Sequence, residues 1–163
     1  MKILGKIIGG ILVCLVLLLL VLRVTGLDPK ERRPGLWLKG NVVTTPVADW
    51  SFTDNIPTIL IQTHTWYLLP HSVTIDCSTY NGKFYLSTIY RSGVEYSLGR
   101  RWNDDLLRDP RVRIKIGNQL YDRRVTLVTD SAEKTGALET KAKKYPELKI
   151  NPRMLANVFR VED

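Results

Sequence analysis

The stretch RDPRVRIKIGNQLYDRRV, residues 108–125, constrains the fold more than any other part of the chain. Val112, Ile114 and Ile116 alternate with Arg113 and Lys115, the period-two pattern of a strand with one buried face. Gly117-Asn118 then supplies a two-residue turn, because both residue types tolerate positive φ. Beyond the turn, Tyr121, Val125 and Leu127 share one parity, and Asp122, Arg124 and Thr126 the other. The segment is predicted to be a β-hairpin whose five arginines and one lysine divide by parity. Arg113, Lys115 and Arg124 belong to a solvated face, whereas Arg123 falls on the apolar parity. Two readings stand for Arg123. A bulge beside the turn returns it to solvent, or it sits at a barrel rim or cleft and awaits an anion.

A second hairpin signal precedes the first. SVTIDCSTY (72–80) alternates Val73, Ile75 and Cys77 against Thr74 and Asp76, and Asn81-Gly82 turns it into KFYLSTI (83–89). Upstream, PTILIQTHTWYLL (57–69) is apolar and β-branched enough for a buried strand, and NVVTTPV (41–47) reads as an edge strand broken by Pro46. Between the hairpins a short helix is predicted around Trp102–Arg108, stopped by Asp109-Pro110. A longer helix begins at Asp130, which caps it with Glu133 three residues on. Leu138, Ala142 and Tyr145 lie on one face of that helix, and Pro146 ends it. Five to seven antiparallel strands with two inserted helices give an α+β, mainly β architecture: a small antiparallel barrel over residues 41–163.

Residues 7–22 carry no charge, with Lys2 and Lys6 before them and Arg23 after. Counted from Ile3, with Lys6 snorkelling, the apolar run reaches the ~20 residues that span a bilayer. Residues 1–25 are therefore read as an uncleaved, single-pass membrane anchor. The alternative is a secretory signal peptide, for which Val24-Thr25-Gly26 is a passable cleavage site. Residues 26–40, rich in Pro, Gly and charge, read as a juxtamembrane linker. Orientation stays open, because basic residues flank the run on both sides.

The formal charge is +8; Lys2, Lys6 and Arg23 account for three of it, leaving +5 on residues 24–163. A basic domain beside a membrane is suited to anionic lipid. No zinc finger, basic helix or RNA-binding aromatic motif is present, so a nucleic-acid partner is not expected. With Cys14 in the apolar run, Cys77 stands alone in the domain and reads as a buried structural thiol. His64 and His71 lack carboxylates or thiols at ligand spacing, and no metal site is expected.

From Trp102 onward the sequence resembles the split-barrel flavin- and deazaflavin-binding proteins, a group that includes pyridoxamine-phosphate oxidases and deazaflavin-dependent nitroreductases. Their pattern W-x-x-N-L, then N-P, strand, Gly turn, strand and helix is met by Trp102 and Leu106, with Asp105 for Asn and Asp109-Pro110 for Asn-Pro. NVFRVED (157–163) resembles the closing strand, and PHSVTI (70–75) a Pro-Arg strand start. The likeness spans roughly residues 56–162. It implies a split β-barrel, a bound FMN or deazaflavin, oxidoreductase activity on a small organic substrate, and a homodimer. Two departures bear on function. The Gly-Arg-Lys-rich turn of the deazaflavin enzymes is replaced by HTWYLLPHS (64–72), and their glycine-rich loop is reduced to Arg91-Ser92-Gly93.

In such barrels the flavin phosphate is held where loops and a helix end meet. The cofactor-binding candidates that this implies are Ser72, Thr88, Arg91, Ser92, Arg100 and Arg101, with Arg123 if it points inward. His71 is placed at the ring edge or a substrate carbonyl, and Trp102 against the ring. Each has a plainer reading. The arginine-rich loop is a solvated surface, His71 a rim histidine without a task, and Trp102 a core anchor at a helix start. Asp104 and Asp105 complement the helix dipole. No catalytic residue is assigned. The competing function is a non-catalytic barrel serving as a binding or scaffold module at the membrane surface.

Overall fold

Both predicted hairpins close on their two-residue turns. Tyr80 pairs with Lys83 around Asn81 (φ 50°) and Gly82 (φ 72°), and Ile116 pairs with Gln119 around Gly117 (φ 59°). The structure, a computed structural model, describes residues 2–31, 33–89, 101–150 and 155–163. Its strands are β1 (Asn41–Val42), β2 (Ile59–His64), β3 (Pro70–Ile75), β4 (Cys77–Tyr80), β5 (Lys83–Ile89), β6 (Arg111–Ile116), β7 (Gln119–Leu127) and β8 (Ala156–Glu162). Among the described residues three α-helices accompany them: α1 (Lys2–Thr25), α2 (Arg101–Arg108) and α3 (Ser131–Lys144).

The sheet runs β3-β2-β6-β7-β8-β5-β4, antiparallel throughout, with β1 added in parallel to the start of β7. β3 and β4 are separated in sequence by Asp76 alone, yet they occupy opposite ends of this path. The sheet must therefore curl until its two edges meet. That single-residue crossing turns an open sheet into a barrel, and it splits SVTIDCSTY into two strands where one was expected.

The inner face is set by strand parity. Ile61, Val73 and Ile114 lie in one transverse row through the registers Ile61↔Val73 and Ile61↔Ile114, and they join Phe84, Leu86 and Phe159 in the main core. α3 covers the outer face of β4 and β5. Asp130 accepts a hydrogen bond from the Glu133 amide at 2.7 Å, the predicted cap. The buried stripe of α3 is Ala137, Leu138 and Lys141, packed toward Tyr85, Val128 and Val158. Lys141 was not foreseen in it; Nζ donates to Ser87 Oγ at 2.9 Å, and burial lowers its pKa. Cys77 is fully buried, and burial pushes its thiol pKa up, as befits a structural cysteine.

Residues 26–31 and 33–40 lie along the outer face of β3, β2 and β6. Lys115 Nζ meets Asp28 Oδ2 at 2.5 Å, Gly35 and Ser72 exchange backbone hydrogen bonds at 2.8 and 3.2 Å, and the Leu38 amide donates to Gln62 Oε1 at 2.8 Å. Lys115, expected in solvent, is covered by this segment. Gly35 is required here: a Cβ would lie 2.1 Å from the Leu27 carbonyl oxygen and 2.6 Å from Ser72 Oγ. α1 itself is almost entirely exposed. Its 24 residues at ~1.5 Å rise extend about 36 Å, more than the ~30 Å of a bilayer core. By length and composition it can cross a membrane.

Candidate functional site

α2 stoppers one end of the barrel. Trp102, Asn103, Asp105 and Leu106 face inward from it, and two polar groups form beneath. On one side Thr63 Oγ1 donates to Asp105 Oδ2 at 3.0 Å, and His71, the register partner of Thr63, brings Nδ1 to 3.9 Å from the same oxygen. Arg108 Nη2 ties Asp105 Oδ1 at 3.3 Å and also donates to the His64 carbonyl. On the other side Asn157 Nδ2 donates to Asn103 Oδ1 at 3.0 Å, and Thr88 is the register partner of Asn157.

On the inner face at this end two polar atoms, His71 Nδ1 and Thr88 Oγ1, are buried without a hydrogen-bond partner among the described residues. Such orphans are uncommon in folded proteins and cost stability. Burial holds the His71 pKa below its ordinary 6.5; the nearby Asp105 carboxylate opposes that shift and the Arg101 guanidinium adds to it. The imidazole is therefore neutral at physiological pH and offers one donor and one acceptor. Arg101 is exposed at the head of α2, with its guanidinium 5.6 Å from the centre of the Tyr67 ring.

The nine candidate residues from the sequence do not form one group. His71, Thr88 and Arg101 belong to the α2 end. Ser72, next in sequence to His71, faces the opposite side of β3 and lies under Gly35, its hydroxyl also without a partner. Trp102 is 3% exposed and packs 6.2 Å from Phe159 in the core. Arg91, Ser92 and Arg100 lie outside the described residues.

Arg123 resolves the question raised by its parity. The pairing of β6 with β7 runs unbroken from Arg111↔Arg124 to Ile116↔Gln119, so no bulge turns it outward. It is buried, with Nη2 donating to the Thr45 carbonyl at 3.0 Å and Nε 2.9 Å from Asp163 Oδ1. It lines a cleft of about 460 Å³ together with Arg111, Arg113, Arg124 and His64. Part of the charge there is matched. Asp122 holds Arg113 through bonds of 2.6 and 2.8 Å, which lowers the Asp122 pKa, and Arg111 holds the Asp109 carboxyl down at about 2. Arg124 makes no ion pair among the described residues. These arginines line a concave surface, where a flat solvated face was expected.

Asp105 and Thr63 were missed as site residues. Asp105 lies three positions after Trp102 and one before Leu106, so its spacing already put it on the buried side of α2. No cluster of three or more metal-ligating side chains occurs among the described residues.

With the geometry in hand, comparison with solved structures is informative about the fold. The chain is similar to an F420-H2 dependent reductase, FDR-A (TM-score 0.53, 19% identity, covering 66% of this chain and 95% of that one). The fold is a split barrel. It is also similar to a chain described as a domain-swapped dimer (TM-score 0.54, 18% identity, 66% and 81% covered). HutZ, the heme storage protein from Vibrio cholerae, gives a TM-score of 0.51 at 12% identity, with 69% and 84% covered. No protein-family profile and no curated protein sequence matches. The resemblance in the sequence is thus borne out in the fold.

Proposed function

We propose that this chain is a membrane-anchored split-barrel oxidoreductase, nitroreductase-like, that binds a flavin or deazaflavin and acts on a small organic substrate. The observation that carries the reading is the pair of orphaned polar atoms, His71 Nδ1 and Thr88 Oγ1, under a helix whose exposed head is Arg101. A flavin is an apolar plane with a polar rim and an anionic tail. A neutral imidazole suits the rim, since it donates or accepts there; a hydroxyl does the same, and a guanidinium suits the phosphate. The bound cofactor would supply the hydride transfer. Asp105 and Thr63 would act on His71, keeping its ring oriented. Arg91, Ser92 and Arg100 would complete the phosphate side, and a homodimer would enclose it.

Detergent-purified full-length protein is expected to bind FMN or a deazaflavin in a fluorescence titration. Arg101→Ala should weaken that binding by about 10-fold or more, the worth of one charge-assisted hydrogen bond. Failure of both cofactors to bind at millimolar concentration overturns the reading. A second reading, a non-catalytic barrel that binds an anion at the membrane surface, is favoured by the arginine-lined cleft, whose lining does not include His71. Phosphate-bearing ligands that bind wild type and not Arg124→Ala would support it.

A further inference from the structure

The sequence between β2 and β3 was expected to continue the buried strand to Leu69. Instead β2 stops at His64, and residues 65–69 form a projecting turn. Its apolar side chains face solvent: Trp66 is 73% exposed and Leu68 94%. Leu68 is also held at φ 66°, a left-handed conformation that costs a bulky residue energy. Exposure on this scale, concentrated in three consecutive residues, is unusual on a water-facing surface. Trp66 and Tyr67 stand edge to face at 5.5 Å, Arg101 lies over Tyr67, and Arg108 reaches the His64 carbonyl at the base of the turn. Residues 65–71 contain no carboxylate.

We propose that this tip, Trp66-Tyr67-Leu68, is a second membrane contact that enters the headgroup region of an anionic bilayer. The inference rests on reading α1 as a membrane anchor. An aromatic pair beside a bare leucine, flanked by arginines, matches a surface whose depth is apolar and whose boundary is negative. The tether brings that surface within reach. Leu27, two residues beyond α1, lies against Gly35, which exchanges backbone hydrogen bonds with Ser72. Ser72 is four residues from Leu68, about 13 Å of extended chain. A bilayer holding α1 is therefore within reach of the tip. The turn closes the β2–β3 hairpin whose first paired residues include Thr63 and His71, so insertion would set the mouth of the α2 end at the lipid boundary.

The test uses the full chain in phosphatidylcholine vesicles with and without phosphatidylglycerol, carrying bromine on the acyl chains. The difference in emission between wild type and Trp66→Phe isolates Trp66 from Trp37, Trp50 and Trp102. Trp66 is expected to be quenched by bromine, more strongly with phosphatidylglycerol and less at high salt. Protein that floats with alkaline-washed vesicles while Trp66 stays unquenched overturns the proposal and leaves the anchor standing. Protein that does not float overturns the anchor and the proposal with it. Disulfide-linked dimers of Trp66→Cys, made in a Cys14→Ser background and formed in vesicles of a composition in which wild-type Trp66 is unquenched, would assign the tip to a second copy of this chain instead.

Discussion

The two ends of the barrel are plugged in opposite ways. Along the inner face of β5 the chain passes from Phe84 through Leu86 to Thr88. At the Phe84 end the plug is aromatic: Trp50 stacks on Phe84 at 4.8 Å and 12°, and meets Tyr121 edge-on at 5.2 Å. The nearby hydroxyls of Thr53 and Thr79 satisfy each other at 2.8 Å. At the Thr88 end the plug is α2, with a buried carboxylate, a neutral imidazole and two orphaned polar atoms. The dry end spends its side chains on packing. The polar end keeps hydrogen-bonding capacity that the described residues do not use, and capacity of that kind marks where a protein trades stability for a task.

Substitutions can break this contrast or sharpen it. Trp50→Ala should have the largest effect, about 3–5 kcal/mol of unfolding free energy, since it empties the aromatic plug. Ile114→Ala, in the middle of the barrel, should cost about 2–5 kcal/mol in chemical denaturation. Asp105→Asn should cost about 1–3 kcal/mol, because it removes the buried charge and leaves one acceptor oxygen where Thr63 and Arg108 each use one. If Asp105→Asn proved as costly as Trp50→Ala, the polar end would be a structural centre and the division would fail.

The histidine offers a finer cut. The folded-state pKa of His71 lies below its ordinary value, so the folded protein binds the proton less readily than the unfolded chain. Its contribution is complete above the ordinary pKa of 6.5 and is lost as pH falls toward the depressed folded value. Thermal melts of wild type should drop more steeply on acidification through this window than those of His71→Gln. Parallel curves would mean that His71 is not buried as a neutral group. The smallest effect belongs to Arg113→Ala, about 0.5 kcal/mol or less, since its pair with Asp122 is part-exposed and screened.

Local patterns in the sequence were good guides wherever a local rule decided the structure. The turns at Asn81-Gly82 and Gly117-Asn118 and the cap at Asp130 are set within four residues, and all three formed. Arg123 was legible as an anomaly, although parity alone could not separate a bulge from a buried cation. What the pattern could not carry was long-range. Lys115 is hidden by Asp28, 87 residues away in sequence, and Ser72 by Gly35. Asp105 looked like a dipole partner because Thr63 arrives from another strand. The run through Trp66 to Leu69 read as buried strand because hydrophobicity does not say what will cover it.

The tight docking of residues 26–31 and 33–40 also governs when the chain can be processed. Gly26 sits so close to Lys39 and Trp37 that a Cβ would fall 2.6 Å from Lys39 Cγ, and the amide and carbonyl of Leu27 are engaged by Trp37 and Leu36. A peptidase needs its substrate extended and free along several residues on either side of the cut. Around Val24-Thr25-Gly26 the folded protein offers that on neither side, because α1 is helical through Thr25 and Leu27 is bonded to Trp37 and Leu36. Any cleavage there must therefore finish before the segment docks on the sheet, so the order of two events, peptidase encounter and barrel closure, decides whether the domain stays attached to α1.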